Sequence, residues 1–264
     1  MKVVLFSNSY NDPNLTVTAA AETILREAGA ECHRFTGDES IFDGAYAALS
    51  FGGDGTFLRC AKIALPRRVA VLGVCLGHTG YLSRIQPERL DNLRNLHTFP
   101  LRERAVLQAR LLGGEREESL TAVNDLVFSR GMEVQTVSLE ISVDGEPLGS
   151  FLGDGVIVST AIGSTGYALS AGGPATDPEL NAFLVTPICA HTSRSHPFVF
   201  SAGRTLCVTP SQTERRKIYL SADGGEPCRL RPGHSAEIRV SDIPLICLEP
   251  NEHDFFESIR IHRL

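Results

Sequence analysis

Two rhythms of apolar and polar positions divide this chain of 264 residues. Residues 2–7 form a short apolar strand. Leu15, Ala19, Ile24, Leu25 and Ala28 then recur near helical spacing over 12–28, with Gly29 as a stop. A weak strand over 31–35 and an apolar run over 45–51 follow, then a helix over 57–65 that Pro66 breaks. Residues 69–74 read as a buried strand, and 87–96 as a polar helix. Strands alternating with helices over the first hundred or so residues predict a parallel sheet, with ligands at the carboxyl ends of its strands.

Past Pro100 the rhythm changes to β-branched residues and period-two alternation. Strands are predicted over 104–112, 120–129, 136–143, 155–160, 205–210, 217–222, 236–240 and 244–248. Asp144-Gly145 is a two-residue hairpin signal, and Asp223-Gly224-Gly225 another turn. The pattern therefore predicts an α/β half, then an all-β half, with the boundary near residue 100.

Composition narrows the class. Apolar residues make up 42%, enough for a sizeable core. A net charge of −6 argues against a nucleic-acid surface. Seven cysteines are scattered without a Cys-x-x-Cys or a zinc-like spacing, which fits reduced thiols in the cytoplasm. The first apolar run is too short for a signal-peptide core, and none reaches membrane-spanning length. A soluble cytoplasmic protein is expected, with neither nucleic acid nor membrane as partner.

The chemistry concentrates at Gly52-Gly53-Asp54-Gly55-Thr56, between a strand and a helix. Such a turn lets backbone N–H groups meet a phosphate at a helix N-terminus. Glycine leaves no Cβ between backbone and ligand, and Thr56 is placed to cap the helix. Asp54 would repel a phosphate, so it is read as handling a proton or a metal ion. Asn124-Asp125 lies within an apolar strand and, taken alone, reads as an exposed edge. Gly153-Asp154-Gly155 leads into a buried strand, then Gly163-Ser164-Thr165-Gly166-Tyr167 and Ala171-Gly172-Gly173-Pro174. That run would let a flat ligand lie on the backbone, with hydroxyls and the Tyr167 ring beside it. A third cluster, Cys189 to Arg194, pairs an imidazole with a cation but demands no function. No P-loop, dehydrogenase-type Gly-x-Gly-x-x-Gly or Gly-x-Ser-x-Gly elbow occurs.

These motifs together resemble the NAD kinases over nearly the whole chain. Gly52 to Thr56 matches the family's first motif, shared with phosphofructokinases and lipid kinases. Residues 73–82 resemble its glycine loop, Asn124-Asp125 its Asn-acidic pair, and 154–173 its second, more specific motif. The resemblance implies an α/β N-terminal domain (1–100, with about 249–264 returning to it) and a β-sandwich over 101–248. It implies transfer of the terminal phosphoryl group of ATP or polyphosphate to the 2′-hydroxyl of the adenosine ribose of NAD. It further implies a divalent cation, usually magnesium, and a homo-oligomer, dimer or tetramer, whose subunits share NAD sites. By position Asp54 is the catalytic base, while Gly52, Gly53, Gly55 and Thr56 hold the donor phosphates. Asp54, Gly55, Asn124, Asp125, Asp154, Ile162, Thr165, Gly166, Tyr167 and Cys189 bind NAD. Asn124 takes the adenine, Asp125 the ribose hydroxyls, and Asp154 the nicotinamide end, in its own or a neighbouring subunit. Ala161-Ile162 stands where the family usually has Pro-Thr, Gly166 where it has alanine, and Cys75 where asparagine is common. The competing readings are an NAD(H)-binding sensor without catalysis and a lipid kinase sharing only the first motif.

Overall fold

The computed structural model describes residues 1–77, 80–114, 118–132, 135–191, 196–211, 216–250 and 259–260. Two compact units emerge, Met1–Arg104 with Ile243–Leu264, and Ala105–Asp242.

In the first unit four parallel strands run in the order Glu31–Arg34, Lys2–Ser7, Ala47–Gly52 and Ala70–Cys75. Leu245–Leu248 extends the sheet parallel to Ala70–Cys75, and Leu101–Arg104 follows it antiparallel. The sequence groups 244–248 with the all-β half, but this strand belongs to the first sheet. Ala47–Gly52 and Ala70–Cys75 are buried at every position, as in sheets covered on both faces. Ala21 and Leu25 of the helix Thr16–Glu27 share one core with Leu5, Leu49, Phe51 and Leu72. The helix Asp54–Ala64 packs on the two central strands through Phe57, Cys60, Ala61 and Ala64.

Three local expectations need correction. The first helix starts at Thr16 rather than residue 12, because Asp12 stays outside and accepts the Val17 and Thr18 N–H groups. The second starts at Asp54, so Gly53 is its N-cap and Thr56 is an interior residue rather than the cap. Pro87–Thr98 is a succession of 3₁₀ turns, not an α-helix. Its buried Leu90, Leu93 and Leu96 recur every three residues, the period at which 3₁₀ side chains eclipse.

The second unit holds two six-stranded antiparallel sheets. One runs Glu146–Gly153, Val137–Val143, Leu206–Pro210, Ser235–Val240, Leu107–Leu112, Glu118–Ala122. The other runs Phe198–Ser201, Ala182–Ile188, Gly155–Thr160, Asp125–Arg130, Ile218–Ala222, Cys228–Leu230. Leu107, Leu139, Leu206 and Ile238 of the first share a core with Leu126, Phe128, Val156, Phe183 and Leu220 of the second. This is a β-sandwich. The strand expected over 120–129 is two strands, split at Val123-Asn124 where the chain leaves one sheet for the other. Ala182–Ile188 and Phe198–Ser201 have no counterpart in the sequence reading. No helix among the described residues is long and apolar enough to cross a membrane.

Candidate active site

The Ala47–Gly52 strand passes into the Asp54–Ala64 helix through Gly53 alone. So short a junction puts the helix N-terminus at the carboxyl end of a central strand. A Cβ on Gly53 or Gly55 would meet nothing within 4 Å, whereas one on Gly52 would overlap the Thr56 side chain. The first two glycines border open space, and Gly52 makes room for Thr56. Thr56 is buried and accepts a hydrogen bond from Asn8 Nδ2 at 3.2 Å, which ties the turn to the end of the first strand.

Asp54 occupies the first helical turn. Its Oδ2 accepts the Tyr81 N–H at 2.9 Å and its Oδ1 the Leu82 N–H at 3.1 Å. One carboxylate thus joins both glycine loops, with lone pairs left over for a further partner. Gly80 lies against it, and a Cβ there would overlap the carboxyl group. Burial, and then the nearby negative charge of Asp54, push the Tyr81 phenol up. His78 and Thr79 of the same loop lie outside the described residues.

A second group gathers in the sandwich. Asn124-Asp125 is no exposed edge: Asp125 is buried, and its strand lies between Gly155–Thr160 and Ile218–Ala222. The Gly155–Thr160 strand runs into a 3₁₀ turn, Ile162–Thr165, and a short helix, Tyr167–Ser170. Thr160 Oγ1 donates to Val123 O at 2.7 Å and accepts the Gly163 N–H at 3.0 Å. A Cβ on Gly163 would overlap the Asn124 backbone. One on Gly166 would lie 3.6 Å from Asn124 Nδ2 and 4.0 Å from Asp125 Oδ2. Asn124, Asp125, Ile162, Thr165, Gly166 and Tyr167 therefore share one small region. Ile162 is buried, Thr165 partly so, and Tyr167 is 47% exposed. Asn124 Oδ1 is buried without a hydrogen-bond partner. An orphaned acceptor beside an exposed aromatic ring suits a ligand that brings its own N–H donors and a flat face.

Asp154 and Cys189 lie at the other end of the same strands. A strand as long as Gly155–Thr160 separates them from Ile162 by roughly 17–20 Å. Asp154 pairs with Arg130 at 2.8 Å, and Cys189 is exposed in the left-handed region with φ 46°. Of the Cys189–Arg194 cluster, 192–194 lie outside the described residues. Sequence reasoning missed Arg130 and Asp223. The carboxylate of Asp223 accepts the N–H groups of Val123, Asn124 and Asp125, although its Asp-Gly-Gly context signalled only a turn.

The chain thus combines a parallel α/β sheet ending in a glycine-flanked carboxylate with a β-sandwich that follows it in sequence. Residues 123–248 match the ATP-NAD kinase C-terminal domain and residues 18–96 the ATP-NAD kinase N-terminal domain. The NAD kinase of Trichlorobacter lovleyi is 34% identical over 229 residues, covering 84% of this chain and 80% of its own. That of Desulforamulus reducens is 33% identical over 258 residues, covering 95% and 84%. Two solved structures share the fold. A yeast NADH kinase complexed with NADH has a TM-score of 0.84 at 21% identity, covering 98% of this chain and 86% of its own. An NAD kinase from Archaeoglobus fulgidus in complex with ATP has 0.83 at 24%, covering 100% and 99%. The chain belongs to the NAD kinase family.

Proposed function

We propose that the enzyme moves the terminal phosphoryl group of ATP, or of inorganic polyphosphate, to the 2′-hydroxyl of the adenosine ribose of NAD, giving NADP. The observation that carries this reading is the Asp54 carboxylate, fixed by two backbone N–H groups beside glycines that border open space. An alcohol is a weak nucleophile until a base takes its proton. Asp54 accepts the proton of the 2′-hydroxyl as that oxygen bonds to the terminal phosphorus. The bond from phosphorus to the bridging oxygen breaks, and ADP leaves with its electron pair. Gly53, Gly55 and the helix N-terminus face the donor phosphates, where backbone dipoles favour negative charge.

The acceptor belongs to the sandwich group. Asn124 Oδ1 takes the exocyclic amine of adenine, Asp125 the ribose hydroxyls, and Thr165, Gly166 and Tyr167 line the base and sugar. Ile162 presents an apolar contact to the adenine. Asp154 and Cys189, a strand length away, serve the nicotinamide end of NAD in a neighbouring subunit, which makes the active form a dimer or tetramer.

Among the described residues no three His, Cys, Asp or Glu side chains converge on a cation position. Magnesium would arrive with the donor phosphates, as this ion usually binds. When bound it neutralises charge on the transferring group. Seven free thiols suit the reducing cytoplasm.

The test is NADP formation by purified protein given NAD, magnesium and ATP or polyphosphate. Asp54→Asn is expected to lower kcat by about 10²–10⁴-fold while NAD binding by calorimetry stays near wild type. Near-normal turnover in Asp54→Ala would remove the base assignment. NAD binding without NADP from any donor would make the protein a sensor.

A further inference from the structure

Two Asp-Gly turns of the sandwich share a backbone shape and differ in what their carboxylates hold. Asp144 (φ 52°) and Asp223 (φ 49°) are both left-handed, each followed by a glycine with positive φ. Asp144 accepts the Thr205 N–H at 2.8 Å and pairs with Arg204, contacts within its own corner of the sheet. Asp223 reaches across to three successive N–H groups, those of Val123 at 3.0 Å, Asn124 at 2.7 Å and Asp125 at 3.1 Å. Its own N–H donates to Asp125 O at 2.9 Å.

Three consecutive N–H groups converge only where the chain leaves strand geometry, forming an anion-binding concavity. Here the concavity is at the crossing between the two sheets, and the protein fills it with its own carboxylate. From the other side, the Thr160 N–H donates to Asn124 O at 2.9 Å. The main chain of Asn124 is thus tied at N–H and C=O, while its side-chain Oδ1 is buried and uncommitted. A frozen backbone under an unspent acceptor is the arrangement of a preorganised recognition site.

We propose that Asp223 is a positioning residue for the acceptor nucleotide, a clamp that presets Asn124 and Asp125 before NAD arrives. This rests on Asn124-Asp125 being the NAD-binding pair. Charge-assisted bonds from N–H to carboxylate are the strong ones, and losing them lets the dipeptide sample orientations that do not bind.

Two variants separate clamp from turn. Asp223→Asn tolerates the left-handed conformation but sets an amide N–H₂ against one of the three N–H groups. Asp223→Gly relieves the backbone and removes the clamp. Both are expected to raise the NAD KM and Kd about tenfold or more, with the ATP KM unchanged. Asp144→Asn, altering the matched turn, is the control and should leave the NAD KM at the wild-type value. Rescue of the Asp223→Gly KM by Asp223→Glu is not expected, since the longer side chain overshoots the concavity. The proposal is overturned if Asp223→Gly folds with a wild-type NAD Kd, or if both substrates weaken together in proportion to lost thermal stability. Should the wild type make no NADP at all, the functional reading fails instead, and calorimetric NAD affinity of the same variants still reads the clamp.

Discussion

Gly55 and Gly80 flank the Asp54 carboxylate, and their surroundings ask opposite things of a methyl group. At Gly80 a Cβ would overlap the carboxyl group, so a side chain there displaces Asp54 or the loop. At Gly55 a Cβ meets no protein atom and the backbone is helical, so alanine costs the free protein nothing and improves helix propensity. Gly55→Ala is therefore expected to melt at or above the wild-type temperature while losing activity by about 10²-fold, the scale of a misplaced substrate. The loss should appear in the donor KM more than in NAD affinity. Full activity in a stable Gly55→Ala would mean that the donor phosphates lie elsewhere. This residue-scale chemistry was the most legible in the sequence. Three glycines around one aspartate mark a tight strand-to-helix junction, so Gly52 to Gly55 announces itself within one turn. Asp223 was opaque for the opposite reason. Its partners Val123 to Asp125 lie about 100 residues away in the chain, and an Asp-Gly turn reads the same whether its carboxylate holds Arg204 or a distant stretch of backbone.

At the scale of single elements, the helix Thr16–Glu27 shows how a start is set from outside. Its N-cap position, Leu15, is left-handed and offers no side-chain acceptor. Asp12 supplies one instead, accepting the Thr18 N–H at 2.9 Å and Oγ1 at 2.7 Å while 3% exposed. Burial pushes its carboxyl upward, but the hydrogen bonds from Thr18 and Val17 outweigh it and hold the pKa below the ordinary 3.8. The folded state therefore favours the ionised form, and the linked stability is present above pH 3.8 and lost as pH falls through the lowered value. Asp12→Ala is expected to cost about 1–2 kcal/mol at neutral pH. Urea titrations of the two proteins should converge as the pH is lowered below 4. A constant gap down to pH 2 would show that the loss is packing alone. The sequence blurred this start because Asp12 suits a helix beginning even when it stands outside the helix it caps. It misread Pro87–Thr98 because a three-residue leucine period in so short a window imitates one of 3.6. Ala182–Ile188 went unseen because Pro187 punctuates an otherwise apolar run, although every position of it is buried.

In the molecule as a whole, the return of the Leu245–Leu248 strand to the first sheet is secured by charge. Arg104 Nε and Nη2 both donate to Glu249 Oε1, at 3.1 and 2.7 Å, with side chains 3% and 14% exposed. The Glu249 N–H adds a bond to Pro100 O. Removing one partner of a buried pair leaves a charge without its compensation, so Glu249→Ala should lower unfolding free energy by about 3 kcal/mol. Glu249→Leu combined with Arg104→Met should recover much of it, as measured by guanidinium unfolding. If Glu249→Ala matched the wild type, the pair would carry no load. Fold class was readable from rhythm, because alternation of helix and strand and then plain β alternation are local properties. The destination of 244–248 was not, since an apolar strand carries no mark of the sheet it joins.

The placing of the Leu245–Leu248 strand has a consequence for biosynthesis. Leu101–Arg104 pairs with Leu245–Leu248, which stands between it and Ala70–Cys75. Met1–Arg104 thus leaves the ribosome with its sheet short of Leu245–Leu248, while the sandwich, Ala105–Asp242, is contiguous in the chain. Domains usually fold in the order of synthesis. Here the sandwich has all its strands first, and the earlier unit waits for Leu245–Leu248, synthesised after it.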